Sequence, residues 1–466
     1  MNNDTIVAIS TPYGMGGIAV VRVSGEDALS IVAKRWKGAA ISDMKSHTAH
    51  FGHLLDSNGE LLDEVVLTLF RGPHSFTGED VIEIACHGSI WIQQQVVNTL
   101  INAGARSATG GEFTQRAFGN GRLDLSQAEA IADVIASSSR ASHRVAMNQM
   151  RGAFSRRLTS LRAQLLQFVS LIELELDFSE EEVNFADRER LIALATDIKK
   201  VIYSLADSYS AGNAIKNGLP VAIVGQTNAG KSTLLNALLG DDRALVSDIK
   251  GTTRDVIEDT ITLGGTLFRF IDTAGIRESG DVIEKMGIER SFKKLDEAQL
   301  VLWVVDPGEG AEEIASFSQQ ILPRCKGKKV LVVVNKIDTA TAEAQTAVSG
   351  AIKAQIPADV DTKTIYVSAR DGQNMEALEQ TIIDLAALPS VADDEAVIVT
   401  NARHYEALVR AGEAICRSIE GLQSGISGDF VSQDIRECMH YLGEITGEIS
   451  TDDILGEIFS HFCIGK

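Results

Sequence analysis

The chain has 466 residues, of which 44% are hydrophobic and 23% charged, and its formal net charge is −21 at pH 7. This length predicts about three domains, and the composition is typical of a globular protein. The acidic balance argues against a protein that coats nucleic acid by bulk electrostatics. No apolar run approaches the ~18 residues of a membrane span, and the N-terminus has no signal-peptide pattern, so no membrane association is expected. Five scattered cysteines in no metal-binding spacing favour a reducing compartment, the cytoplasm.

We expect residues 1–120 to form a compact α+β domain. Short β-like runs separated by glycine-rich turns predict strands at 5–8, 17–23, 64–70 and 81–85. Helices are expected at 29–36 and 90–103.

Residues 121–213 predict the first part of an all-α helical domain. Ser126-Gln127-Ala128-Glu129 has the pattern of a capping box at a helix start. A second helix is expected at 187–212. Between them, apolar residues at spacings of three and four favour a bundle core over a partner-binding site: Leu158, Leu161, Leu165, Phe168 and Ile172.

Between Arg140 and Arg162, the same region contains six arginines and no acidic residue. A solvated helix face is the simpler interpretation, and an RNA-facing basic surface is the alternative. The arginines are Arg140, Arg144, Arg151, Arg156, Arg157 and Arg162.

Residues 214–385 show strands alternating with helices, which predicts a parallel, doubly wound α/β sheet. The expected strands are 219–224, 267–271, 300–305, 330–334 and 364–367. Residues 386–466 are helical again, at 404–422, 431–442 and 451–462. Helical regions on both sides of a complete α/β domain indicate that this domain is inserted into the helical one.

The first strand of the α/β region leads into Gly225-Gln226-Thr227-Asn228-Ala229-Gly230-Lys231-Ser232, and a helix follows. Strand, G-x-x-x-x-G-K-S and helix are the context of a phosphate-binding P-loop. The glycines let backbone N–H groups face phosphate oxygens at a helix N-terminus. Lys231 would neutralise the β- and γ-phosphates, and the Ser232 hydroxyl would ligate Mg²⁺.

Three more motifs follow predicted strands in the order of a GTP site. Asp272-Thr273-Ala274-Gly275 would hold Mg²⁺ through water and sense the γ-phosphate, and Ser368-Ala369-Arg370 would close the base pocket. In Asn335-Lys336-Ile337-Asp338, the Asp338 carboxylate can accept both N–H groups of a guanine edge, which adenine cannot supply. Hydroxyls of Thr252 and Thr253 can complete the Mg²⁺ shell. The four motifs together predict GTP as the ligand.

The catalytic group is less evident from the residues. Ile276 stands where many GTPases carry a water-orienting glutamine, and an aliphatic side chain cannot hydrogen-bond. Candidates for positioning the water are Glu278, Asp281 and Glu284. An arginine finger or a monovalent cation, the latter held by the amide oxygen of Asn228, could neutralise charge in the transition state.

The sequence resembles, over essentially its whole length, the bacterial tRNA uridine-5-carboxymethylaminomethyl modification GTPases, the MnmE or TrmE family. The resemblance is carried by Asp4-Thr5-Ile6-Val7-Ala8, Phe76-Thr77-Gly78-Glu79-Asp80-Val81, Gly111-Glu112-Phe113-Thr114-Gln115-Arg116-Ala117-Phe118, Leu123-Asp124-Leu125-Ser126-Gln127-Ala128-Glu129-Ala130 and the terminal Phe462-Cys463-Ile464-Gly465-Lys466. It implies a folate-binding N-terminal domain at 1–120 that dimerises, a helical domain at 121–213 and 386–466, and an inserted Ras-like G domain at 214–385.

The resemblance also implies residue roles. It assigns the catalytic acid to Glu284, with Lys231 on the phosphates, Mg²⁺ on Ser232 and Thr253, and K⁺ on Asn228, Ser247, Ile249 and Thr252. A tetrahydrofolate one-carbon donor, as the 5-formyl or 5,10-methylene form, would contact Arg22, Glu83, Arg122 and Lys466, and the nearby Cys463 thiol is a candidate for chemistry. The implied GTP contacts are Asn228, Ala229, Gly230, Lys231, Ser232, Thr233, Ser247, Asp248, Ile249, Lys250, Gly251, Thr252, Thr253, Asp272, Thr273, Ala274, Gly275, Asn335, Lys336, Asp338, Ser368, Ala369 and Arg370.

The function implied is a homodimeric, K⁺-stimulated GTPase that acts with an FAD- and NADH-dependent partner, MnmG (GidA). Together they would add aminomethyl or carboxymethylaminomethyl groups at C5 of the tRNA wobble uridine. One alternative is a ribosome-assembly or regulatory GTPase without covalent RNA chemistry, and another is a folate enzyme regulated by GTP. Met15 departs from the basic residue that relatives often carry there, which puts one folate or RNA contact in doubt.

Overall fold

A computed structural model describes residues 4–177, 188–243, 259–271, 295–357, 360–386, 397–450, 452–460, 462 and 464–465. The N-terminal region is an α+β domain, as predicted. Its elements are β1 (Ile6–Ile9), β2 (Ile18–Ser24), α1 (Ala28–Ala33), β3 (Trp36–Lys37), β4 (Thr48–Leu55), β5 (Leu61–Phe70), β6 (Val81–His87), α2 (Ile90–Ala103), β7 (Arg106–Ser107) and α3 (Glu112–Gly119).

These strands form one seven-stranded sheet in the order β3-β4-β5-β6-β2-β1-β7. Neighbouring strands are antiparallel except β1 and β7, which are parallel. Apolar side chains of the strands alternate inward and pack with buried residues of α1 and α2, including Ile31 and Leu100. Strands β3, β4 and β7 were not predicted. The helix expected at 29–36 ends earlier because residues 36–37 form β3, which pairs with β4.

A buried arginine fastens the chain start to α3 and to the loop before β6. Arg116, only 7% exposed at its side chain, donates to both the backbone and the carboxylate of Asp4, to Glu79 and to Glu112. Arg106 donates to Asp4 and Glu112 as well. Buried charges are tolerated when they are paired in this way, so Asp4, Glu79, Glu112 and the two arginines have a structural reason to occur together in one sequence.

The helical segments that follow are α4 (Leu125–Ala136), α5 (Arg140–Met150), α6 (Ala153–Asp177) and α7 (Arg188–Asn217). The capping box predicted at 126–129 is wrong by two residues. Helix α4 begins at Leu125, and the box joins Asp124 and Gln127, each side chain accepting from the other's backbone N–H at 2.9 and 3.1 Å. Asp124 is as good an N-cap as serine, so Ser126 is left inside the helix, where it donates to Asp124.

The apolar stripe on α6 is core, as predicted. All five of its side chains are buried, with exposed fractions of 3% or less: Leu158, Leu161, Leu165, Phe168 and Ile172. The arginines between 140 and 162 differ in their exposure to solvent. Arg162 is half-buried and ion-pairs with Glu448, whereas Arg140, Arg151, Arg156 and Arg157 are exposed. An RNA-facing role for the exposed ones stays a prediction.

The α/β region comprises β8 (Leu219–Val224), α8 (Lys231–Arg243), β9 (Asp259–Leu263), β10 (Thr266–Ile271), β11 (Leu300–Val305), α9 (Ala311–Ile321), β12 (Lys329–Val334), α10 (Ala342–Gln355), β13 (Asp361–Tyr366) and α11 (Met375–Ala386). The sheet order is β13-β12-β11-β8-β10-β9. Apolar residues on both faces of this sheet are buried, as in a doubly wound fold.

The prediction of an all-parallel sheet is wrong at one edge. Strand β9 was missed and runs antiparallel to β10, whereas the other pairs are parallel. Gly264 and Gly265 connect the two strands with φ values of +57° and +81°. Two consecutive positive φ angles are the requirement of a tight hairpin turn, and Gly-Gly is a sequence signal for it.

The chain ends in α12 (Ala402–Gln423), α13 (Gly428–Thr446) and α14 (Asp452–Ser460). The chain divides into two compact units, Met1–Ile135 with Asn148–Lys199 and Arg410–Lys466, and Ala136–Met147 with Lys200–Val409. In the first unit, α13 packs along α6. The predicted domain boundaries stay predictions. None of the described helices combines the length and apolarity that a bilayer span needs.

The ion-pair cluster around Arg116, with Arg106, Asp4, Glu79 and Glu112, should make the stability of the protein depend on pH. Burial raises the pKa of Glu112, but hydrogen bonds from Arg106, the Thr109 N–H and Arg116 prevail and lower it to about 2 from 4.5. The stabilisation is therefore fully present above pH ~4.5 and is lost as the pH falls toward 2, and it amounts to on the order of 3 kcal/mol.

We expect Glu112→Gln to lower the melting temperature at pH 7 and to differ less from wild type at pH 3. Differential scanning calorimetry from pH 7 to 3 measures this, with the exposed Glu60→Gln as the control. A difference that stays constant across this range would contradict the assignment.

Candidate functional site

The P-loop connects the fully buried strand β8 to α8. Asn228 and Gly230 have φ values of +66° and +93°, which turn the loop around the N-terminus of the helix. A Cβ at Gly230 would lie 2.3 Å from Nδ2 of Asn335, so only glycine fits there. This backbone presents N–H groups at a helix start, the arrangement that binds phosphate.

Lys231 is the first residue of α8 and folds over this loop. Its Nζ donates to the carbonyl oxygens of Gly225 and Gln226 at 2.9 and 2.7 Å. Burial lowers the pKa of Lys231, and the nearby charge of Glu309 partly opposes this shift. A partly desolvated ammonium group at the loop is suited to an anionic ligand such as phosphate.

Asn335, which directly follows β12, joins the P-loop to a second loop. It is 2% exposed. Its Nδ2 donates to the Ala229 carbonyl at 3.1 Å, and its Oδ1 accepts the Ala369 N–H at 3.0 Å. Both halves of the amide are therefore used, and the loops after β8, β12 and β13 are held at one edge of the sheet.

The neighbouring Asp338 is held by a hydrogen bond to the loop after β13. Its Oδ1 accepts the hydroxyl of the buried Ser368 at 2.6 Å, which orients the carboxylate, and the residue itself is exposed. An exposed, oriented carboxylate can accept the paired N–H groups of a guanine edge. Arg370 is also exposed.

Lys336 connects the same loop to the P-loop by a different route. Its Nζ donates to the Asn228 carbonyl at 2.5 Å and to Asp306 Oδ2 at 2.7 Å. Asp306 and Glu309 were missed by the sequence analysis. A polar residue directly after a buried parallel strand, as Asp306 is after β11, is a signal that could have found it.

The structure thus brings together the P-loop, Asn335 to Asp338 and Ser368-Ala369. Other predicted residues lie outside the described ones. They are Ser247, Asp248, Ile249, Lys250, Gly251, Thr252, Thr253, Asp272, Thr273, Ala274, Gly275, Glu278, Asp281, Glu284, Cys463 and Lys466.

Two of the predicted folate residues form a pair on adjacent strands. Arg22 on β2 is directly opposite Glu83 on β6, and its Nε and Nη2 both donate to Glu83 Oε1, at 3.0 and 2.7 Å. The guanidinium carbon lies 5.4 Å from the ring centre of Phe76 and 5.7 Å from that of Phe113. Glu83 Oε2 takes no part in this pair.

Arg122 is exposed and lies beside the loop that contains Phe76. A Cβ at Gly78 would be 3.2 Å from its Cγ. The chain terminus reaches the same domain, since Ser10 Oγ donates to the Gly465 carbonyl at 3.1 Å and Ile464 bridges to Gly110. Met15 is 86% exposed, and its effect on any ligand stays a prediction.

A P-loop followed by Asn-Lys-x-Asp at the carboxyl edge of a mostly parallel sheet defines a P-loop guanine-nucleotide-binding protein. Two family models match the chain, GTP-binding protein TrmE N-terminus over residues 5–122 and MnmE helical domain over residues 125–463. The chain belongs to the family of tRNA modification GTPases MnmE.

Relatives with that name match along their whole length. The protein of Bacteroides thetaiotaomicron is 55% identical and that of Flavobacterium johnsoniae 48%, each over 100% of both chains. Among solved structures, a GDP·AlF4⁻-bound Era variant from Aquifex aeolicus is 30% identical over 42% of this chain and 66% of its own, with a TM-score of 0.28. The G domain of the Thermotoga maritima FeoB iron transporter is 24% identical over 36% and 98%, with a TM-score of 0.25.

The central position of Asn335 yields a prediction about nucleotide binding. Asn335→Ala leaves the Ala229 carbonyl and Ala369 N–H without this partner, at a cost of about 1–3 kcal/mol for each buried group. We expect affinity for a fluorescent GDP analogue to fall by about 10-fold or more. Gln380→Ala, on an exposed face of α11, is the control, and an unchanged affinity in Asn335→Ala would refute the coupling of the two loops.

Proposed function

We propose that this chain is a K⁺-stimulated GTPase that takes part in modifying the wobble uridine of tRNA. The observation that carries the proposal is the Asn335-linked P-loop beside an exposed, oriented Asp338 carboxylate. It occurs in a chain 55% identical, over its full length, to a relative named tRNA modification GTPase.

In this proposal, GTP binds with its phosphates in the P-loop and its base on Asp338. Lys231 would exchange its bonds to the loop carbonyls for bonds to phosphate oxygens, which costs little because one set of acceptors replaces another. Ser232 lies in the first turn of α8 and would hold Mg²⁺ with Thr253. The remaining contacts that the family implies, residues 247–253 and 272–275, complete the site in this proposal.

The charge in the transition state would be met by K⁺ held on Asn228, Ser247, Ile249 and Thr252. Asn228 fits such a role because its backbone carbonyl is occupied by Lys336, whereas the residue is exposed and can present its amide oxygen to a cation. Glu284 would orient the attacking water, a task that Ile276 cannot perform.

Exchange of K⁺ for Na⁺ at constant ionic strength tests this part. We expect GTP hydrolysis to be faster in K⁺, because the smaller Na⁺ fits a site of the same ligands less well, and Asn228→Ala to remove the difference. Initial rates of phosphate release measure it. Equal rates in the two salts would rule out the cation site while leaving nucleotide binding intact.

The N-terminal domain would supply a one-carbon unit from a 5-formyl- or 5,10-methylene-tetrahydrofolate. Glu83 can accept from the amino and ring N–H groups of the pterin, and Arg22, Arg122 and Lys466 can pair with the carboxylates of the folate's glutamate tail. Arg22 is held over two aromatic rings, which gives the cation a fixed position. A role for Cys463 in this chemistry is part of the proposal.

The complete reaction would need a homodimer of this chain, the FAD- and NADH-dependent MnmG (GidA) and tRNA, in the cytoplasm. The folate-binding domain would provide the one-carbon unit and the partner the redox chemistry. GTP hydrolysis would reorganise the shared site. The product would be an aminomethyl or carboxymethylaminomethyl group at C5 of the wobble uridine.

Mass spectrometry of tRNA nucleosides from cells with and without the gene tests the reaction. We expect the C5-aminomethyl-type uridines to disappear on deletion and to return with the wild-type gene but not with Lys231→Ala. The exposed Lys326→Ala, in the same unit, is the matched control and should restore them. An unchanged nucleoside profile on deletion would favour the ribosome-assembly GTPase instead.

A further inference from the structure

Asp306 is a charged residue directly beside the nucleotide motifs that none of those motifs includes. It follows β11, and its Oδ2 accepts the Lys336 ammonium at 2.7 Å. Its own position is fixed twice, since Oδ1 accepts the Gly308 N–H at 2.8 Å and its backbone N–H donates to Glu309 Oε1 at 3.1 Å. Asp306 therefore offers Lys336 a carboxylate that is already in place.

The other partner of Lys336 is the P-loop itself. Lys336 Nζ donates to the carbonyl of Asn228 at 2.5 Å. Asn228 has a φ of +66°, in the left-handed region that non-glycine residues seldom occupy. Such a conformation persists when surrounding contacts hold it, and the bond from Lys336 is one contact that acts directly on this peptide unit.

Opposite charges strengthen the hydrogen bond between Asp306 and Lys336. The side chains of Lys336 and Asp306 are 36% and 28% exposed, so their hydrogen bond is partly shielded from water. Burial opposes ionisation of Asp306, but the bonds from Lys336 and Gly308 prevail and lower its pKa. Asp306 is thus an anion at neutral pH, and the bond to Lys336 is charge-assisted.

We propose that Asp306 is a positioning residue that holds Lys336 on the Asn228 carbonyl and so keeps the P-loop in its nucleotide-binding conformation. It touches neither phosphate nor base in this role. The inference rests on the proposed GTP site and deepens it. Through Asn228, Asp306 also influences the K⁺ dependence of hydrolysis.

The test is Asp306→Asn. If Oδ1 still accepts the Gly308 N–H, this change removes the charge and turns an NH2 group, which cannot accept a hydrogen bond, toward Lys336. We expect affinity for a fluorescent GDP analogue to fall by about 3- to 10-fold, since the charge-assisted hydrogen bond from Lys336 is lost. The K⁺ concentration at half-maximal hydrolysis should rise, and Asp306→Glu should recover part of both losses. The matched control is Asp296→Asn, which breaks an ion pair with Arg324 (2.9 Å) in the same unit and should leave both values unchanged.

Asp306→Asn is also made in an Asn228→Gly protein, to separate an effect on the P-loop conformation from a general loss of stability. Glycine adopts a φ near +66° without restraint, so in Asn228→Gly the loss of GDP affinity caused by Asp306→Asn should be smaller than in wild type. Equal fold-losses in the two backgrounds, or an unchanged GDP affinity in Asp306→Asn, would overturn the inference. Failure of the wild-type protein to bind GDP would refute the proposed nucleotide site, and the inference with it.

Discussion

One buried amide holds the nucleotide-binding edge of the α/β domain together. Asn335 satisfies a carbonyl of the P-loop on one side and an N–H of the loop after β13 on the other. Ala229 and Ala369 are both buried, so the loops cannot separate without leaving buried polar atoms unpaired. Lys336 and Asp338 belong to the same short loop as Asn335, so this anchor also fixes where their backbone lies.

The N-terminal domain uses the same principle with charges. Arg116 gathers the chain start, the loop before β6 and the beginning of α3, and each carboxylate around it has a partner. This explains why short motifs far apart in the sequence, around Asp4, Glu79 and Glu112, occur together. They build one cluster, which lies in the same domain as the Arg22–Glu83 pair and ties the residues just before β1 to the start of α3.

Sequence patterns predicted most elements because apolar periodicity and buried runs are local properties. Strands β8 and β11 and helix α2 have the predicted bounds, and the stripe on α6 is buried as expected. Errors arose where two local signals compete. Asp124 and Ser126 are both good helix caps, and only the hydrogen bonds of Gln127 decide between them. Strand β9 is short, but its alternation of threonines with the buried Ile261 and Leu263, followed by Gly264-Gly265, is a strand and turn signal that the sequence analysis missed.

The sequence by itself determined the class of nucleotide site, because the P-loop and Asn-Lys-x-Asp motifs are contiguous and each needs particular residues at particular spacings. It also determined the order of the domains and the apolar faces that form their cores. Only the tertiary structure decided which side chains form hydrogen bonds and ion pairs between distant parts of the chain. Asp306 and Lys336 are thirty residues apart and meet because parallel strands end at one edge of a sheet. Arg22 and Glu83 pair because of strand register, which local sequence does not specify.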